Sequence, residues 1–218
     1  MSLKNMLRAV SAAAIVAVAG SASAAVITLD FEGIANNAAV GNYYNGGGGT
    51  NYGVSFSGST LALVDADAGG TGNFGNEPTA NTIMFFLDAN EAILNVAAGF
   101  EAGFSFFYTS STAADVTVWS GLNGTGTLLA TISLTAQFNG NGCQGDPTGD
   151  FCNWTAGGST FMGTARSINF GGTANQTGYD NITFGSSTPG SGTVPEPASL
   201  ALVGAALLGV AASRRRKA

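Results

Sequence analysis

The stretch Val116-Thr117-Val118-Trp119, followed by Ser120-Gly121-Leu122-Asn123-Gly124-Thr125-Gly126 and then Leu128-Leu129-Ala130-Thr131-Ile132-Ser133-Leu134, decides the fold class. Its apolar segments alternate. Leu128, Ala130, Ile132 and Leu134 fall on one face, opposite Leu129, Thr131 and Ser133. Successive side chains of a strand point to opposite faces, so this is the pattern of half-buried strands. The Gly- and Asn-rich segment between them accepts positive φ and reads as a hairpin connection. Trp119, on an alternating strand, is expected in the core.

Working outward, the pattern recurs in Val54-Ser55-Phe56, Leu61-Ala62-Leu63, Phe104-Ser105-Phe106-Phe107-Tyr108, Ile168-Asn169-Phe170 and Ile182-Thr183-Phe184. Gly, Asn, Ser and Thr fill the intervals. About ten such strands with no long helical segment predict an all-β protein whose antiparallel strands close as a two-sheet sandwich.

The two ends differ from this. Lys4 and Arg8 precede an apolar run from Ala9 to Gly20, and Ala22-Ser23-Ala24 supplies small residues before a cut. Residues 1–24 therefore read as a secretory signal peptide, with signal peptidase as the processing partner. At the other end Val194-Pro195-Glu196-Pro197-Ala198-Ser199 leads into the apolar stretch Leu200 to Ala212, and Arg214-Arg215-Arg216-Lys217 follows. A helix from Ala198 to Ala212 would be about 22 Å long, shorter than the ~30 Å hydrocarbon layer, and suits a transient transmembrane helix. The basic cluster belongs on the cytoplasmic side.

Those terminal residues resemble the PEP-CTERM sorting signal, with Val194, Pro195, Glu196, Pro197 and Ser199 as the motif and Arg214, Arg215, Arg216 and Lys217 as its membrane-flanking cations. The resemblance covers 194–218. It implies recognition and tail removal by an exosortase at the inner membrane of a Gram-negative, exopolysaccharide-making bacterium, with delivery to the cell surface or extracellular matrix. Residues 25–185 are then the domain and 186–193 a small-residue linker.

Between the ends, twelve acidic residues face one cation, Arg166, a net charge of −11 that the terminal cations mask in the whole chain. Such a surface repels phosphate backbones and excludes nucleic acid as a partner. The chain has no His, and no Lys lies between residues 25 and 193. That excludes His-based triads, Lys Schiff bases and ordinary zinc sites. Cys143 and Cys152, the two cysteines of an exported chain, read as one disulfide rather than two free thiols.

Leu29-Asp30-Phe31-Glu32-Gly33, Tyr52-Gly53-Val54-Ser55-Phe56 and Tyr179-Asp180-Asn181-Ile182-Thr183-Phe184 are similar to the jelly-roll domains of PEP-CTERM proteins, and these to carbohydrate-binding modules. The resemblance implies a jelly roll whose first and last strands adjoin, with a structural calcium there. Asp30 and Glu32, on one face if the strand stays regular, and Asp180 are its expected ligands. Asp65, Asp67, Asp146 and Asp150 read as solvated loop carboxylates. Tyr43, Tyr44 and Trp154, with Tyr52, are either sugar-stacking rings or packed ones; sequence does not separate the two. The sequons at Asn123, Asn153, Asn175 and Asn181 carry little weight in an Asn/Thr-rich chain. The expected function is a non-catalytic surface or matrix protein associated with exopolysaccharide. The alternative is a glycosidase working through a carboxylate pair.

Overall fold

The computed structural model describes residues 26–89, 91–138, 143 and 149–190. The signal peptide, the sorting motif with its apolar stretch and basic cluster, and Asp146 lie outside the described residues. Among those described, no helix is long and apolar enough to cross a membrane.

Among the described residues eleven strands form two antiparallel sheets. In chain order they are β1 (Ile27–Leu29), β2 (Val54–Phe56), β3 (Thr60–Val64), β4 (Thr82–Phe86), β5 (Glu91–Phe100), β6 (Gly103–Ser110), β7 (Ala114–Trp119), β8 (Leu128–Leu134), β9 (Thr155–Thr160), β10 (Ala165–Gly171) and β11 (Thr177–Phe184). The first sheet runs β3-β4-β11-β6-β9, with β1 also on β11, and the second runs β2-β5-β10-β7-β8. The expected antiparallel two-sheet jelly-roll sandwich is the observed fold. Its core joins Phe104, Phe106 and Tyr179 of the first sheet to Phe170 of the second, with Tyr179 and Phe170 edge to face at 4.9 Å.

The second sheet follows the alternation read from sequence. Val116 and Val118 are buried, as are Ile132, opposite Val116, and Leu134, opposite Ala114. Two corrections arise here. A register shift between Val118 and Trp119 breaks the β8 alternation. Leu129 packs against the core while Leu128 is 47% exposed. Trp119 shares the outer face with Thr117, to whose hydroxyl its indole N–H donates at 2.9 Å, and is not a core ring.

The first sheet does not alternate. Every residue of β4 and β11 is buried. The cause is a third layer: loops 65–81 and 149–154 lie over the outer face, and Phe74, Ile83 and Phe151 form a second small cluster there. The disulfide Cys143–Cys152 is formed, with Cα atoms 5.1 Å apart, beside this layer. Trp154 belongs to it as well. Its ring meets Phe74 edge to face and its N–H donates to the Gly75 carbonyl at 3.1 Å. A strand covered on both faces shows no polar alternation.

The expected linker begins later than residue 186. Gly185 donates its N–H to the Gly103 carbonyl, Ser105 Oγ to the Ser186 carbonyl and Gly190 N–H to Thr183 Oγ1. A β-carbon at Gly158 would stand 2.2 Å from the Ser187 carbonyl oxygen, so this return segment lies directly on the sheet.

Candidate functional site

β4 and β1 lie end to end along one side of β11. β4 pairs at Gly178 and Tyr179, and β1 pairs at Ile182, Thr183 and Phe184. Asp180 and Asn181 occupy the gap, at a register shift where Asn181 takes φ 50. The Asp180 carboxylate, fully buried, accepts the Thr79 backbone N–H at 3.0 Å, the Thr79 hydroxyl at 2.8 Å and the Asn181 N–H at 2.7 Å. Burial pushes its pKa up to about 7 against these donors, and the nearby Glu32 charge adds to the rise.

Glu32 enters from the other end of the gap. Its carboxylate accepts the Thr82 backbone N–H at 2.9 Å and the Thr82 hydroxyl at 3.3 Å. Burial raises its pKa, the Thr82 bonds oppose that, and Asp30 and Glu77 push it further up. β1 stops at Leu29, and Phe31 has φ 62, so Asp30 and Glu32 do not lie on a regular strand. The expectation of a shared strand face fails for that reason. Asp30 is exposed, and its Oδ1 accepts the Glu32 N–H at 3.3 Å. Among the described residues no three Asp, Glu or Cys side chains gather closely enough to hold one metal ion. Asp30, Glu32 and Asp180 are therefore brought to one corner without converging as three ligands.

Two tyrosines fix this corner. Tyr44 is buried, and its hydroxyl accepts the Phe31 N–H at 2.7 Å. Burial drives its pKa well above the ordinary phenol value. The Tyr43 hydroxyl donates to the Glu32 carbonyl at 3.1 Å. Gly48 and Gly49 lie against the Tyr43 ring: a β-carbon at Gly49 would fall 2.4 Å from Tyr43 Cε1. Tyr43 and Tyr44 thus act as packed, positioning rings, and so does Trp154. Tyr52, stacked on Tyr44 at 6.3 Å, is 37% exposed. With Thr28, Asp30, Glu32, Tyr43 and Thr50 it lines an open hollow of about 530 Å³.

Of the remaining acids, Asp67 is exposed as expected, whereas Asp65 is buried. The loop folds back tightly there, with Asp65 N–H on the Asn81 carbonyl and Gly70 N–H on the Asp65 carbonyl. Asp150 is half-buried beside Asn73, whose amide donates to it at 3.4 Å. Asn123, Asn175 and Asn181 all adopt positive φ, which gives these sequon asparagines a conformational role. Thr79 and Thr82, the donors that hold the Asp180 and Glu32 carboxylates, carried no signal in the sequence.

Several solved structures resemble the chain. Among them are the K2 cleaved adhesin domain of Lys-gingipain (12% identity, 73% of this chain and 99% of that one, TM-score 0.45), a family 6 carbohydrate-binding module (16%, 60% and 85%, 0.37) and CsCBM6-3 from Clostridium stercorarium in complex with cellobiose (13%, 72% and 92%, 0.39). No curated protein matches it. One family model does match, over residues 193–217, and the chain ends in a PEP-CTERM protein-sorting motif.

Proposed function

We propose that this is an exported, non-catalytic surface or matrix protein that binds extracellular saccharide in the hollow beside Tyr52. The observation that carries the reading is the meeting of an exposed tyrosine ring with the Asp30 and Glu32 carboxylates in one open hollow. A ring face suits the C–H face of a pyranose, and carboxylates accept from its hydroxyls. A glycosidase is disfavoured by geometry. Asp180, the carboxyl whose pKa is raised to near neutral, is fully buried and has no access to a glycosidic oxygen. A glycan array probed with the wild-type chain and with Tyr52→Ala tests the reading. Saccharide binding that Tyr52→Ala removes supports it, and binding unchanged by that substitution overturns it.

The sorting motif at 193–217 supports export and removal of the tail by an exosortase, after signal peptidase has acted at the other end. Mass spectrometry of the surface protein tests this, and an intact 200–218 segment would refute it. We also propose a structural calcium at the β1–β11 corner, drawing on Glu32, Asp180 and nearby backbone carbonyls. Support comes from the buried Asp180 carboxylate and the half-buried Glu32 carboxylate, whose charge raises the Asp180 pKa, in a domain whose single cation, Arg166, is exposed. Oxygen donors of this kind suit that hard cation.

A further inference from the structure

The outer face of the first sheet holds a second, smaller pocket, on the side covered by loops 65–81 and 149–154. Phe74, Ile83, Phe85 and Phe151 line it with apolar surface. Gly178 keeps it open: a β-carbon there would stand 2.7 Å from Ile83 Cδ1 and 3.5 Å from Thr109 Cγ2. Thr109 also lines it. That residue is 1% exposed, and its hydroxyl has no hydrogen-bond partner among the described residues. Buried hydroxyls are nearly always paired, so an orphan at a pocket wall calls for a partner. The cavity volume is about 30 Å³, too small for a sugar ring and enough for one small substituent.

We propose that this pocket seats a single acetyl group, carried as an acetamido substituent on a larger saccharide. The methyl matches the phenylalanine and isoleucine walls. The carbonyl oxygen accepts from Thr109 Oγ1, which removes the orphan. The amide N–H then faces the exposed side chains of Asn73 and Asn175 at the mouth. A hydroxymethyl group fits less well, because it carries no methyl to meet the apolar walls formed by Phe74, Ile83, Phe85 and Phe151. The proposal rests on the saccharide reading only for the carrier of the acetyl group; the pocket itself is separate from the Tyr52 hollow.

Saturation-transfer NMR on the full chain, with N-acetylglucosamine, glucose and N-methylacetamide as probes, tests it. The acetyl methyl of the first and the C-methyl of the third are expected to receive the strongest saturation. Thr109→Val keeps the shape and removes the hydroxyl. It should hold or raise the melting temperature while weakening both acetyl probes about five- to tenfold. Gly178→Ala, which fills the pocket, should abolish the methyl signal. Tyr52→Ala should leave it intact. Equal saturation of glucose and N-acetylglucosamine, or acetyl binding indifferent to Thr109→Val, overturns the proposal. Acetyl binding lost in Tyr52→Ala alone also overturns it while leaving the saccharide reading in place. A Thr109-dependent N-methylacetamide signal without any sugar binding supports the pocket and sinks that reading instead.

Discussion

The carboxylate of Asp180 accepts the backbone N–H of Thr79 at 3.0 Å, across 101 residues of chain. This bond ties the loop between β3 and β4 to the central strand of the first sheet, at the place where β11 changes partner from β4 to β1. Asp180 is therefore the residue through which pH and cations should act on stability.

In metal-free protein, stability should fall as pH rises. The folded carboxyl titrates near 7 and the unfolded one near 3.8, so between these values the native state holds a proton that the unfolded chain has released. The contribution is fully present below about pH 3.8 and lost as pH rises through about 7. Its size is a few kcal/mol, at roughly 1.4 kcal/mol per unit of pKa difference. Urea melts in EDTA between pH 4 and pH 8 measure it. A slope that Asp180→Asn leaves unchanged would assign the effect to other groups.

Calcium should reverse that trend. A cation between Glu32 and Asp180 favours both ionised carboxylates, so melting temperature should rise with added calcium, and more at pH 8 than at pH 5. In Asp180→Asn most of the rise should vanish. Identical melting curves in EDTA and in millimolar calcium at pH 8 would remove the proposed ion.

Tyr44→Phe should destabilise the domain by about 1–3 kcal/mol, because the Phe31 N–H loses its acceptor in a buried turn. Phe31 is held at φ 62, so the loss should also free the turn that carries Glu32. Equilibrium denaturation gives the first effect. A smaller calcium response in the same variant would report the second.

Reduction of Cys143–Cys152 should cost about 2–3 kcal/mol, as closure entropy for a short loop gives. The effect should centre on the outer layer. Trp154, packed on Phe74 there, supplies a fluorescence readout that should shift before far-ultraviolet circular dichroism does.

The half of the fold that faces solvent was legible in the sequence. Val116, Val118, Ile132 and Leu134 alternate because one face of their sheet is dry and the other wet. Trp119 was misplaced by the same rule, since alternation says which residues share a face but not which face is buried. The first sheet hid its layering, because loops cover its outer side and erase the polar positions that would have marked it. The corner of Glu32 and Asp180 was visible as two carboxylates near the first and last strands. Its donors were not, because Thr79 and Thr82 differ in nothing local from the chain's many other threonines. Tyr43 and Tyr44 were visible as aromatics, while the glycines that lie against Tyr43 and the amide that meets Tyr44 belong to tertiary structure alone.

The place of β11 also sets a timetable. The strand made last is the one that β1, β4 and β6 all pair with, and Thr28 meets Thr183 only after 155 further residues have been made. In a chain that emerges from its N-terminus, at about 5–20 residues per second, β1 waits roughly 10–30 s for a partner. Through that interval the first sheet has no central strand, and β4 and β6 lack the partner that lies between them. The first sheet thus closes only when almost all of the domain has been made, because its last strand is its central one.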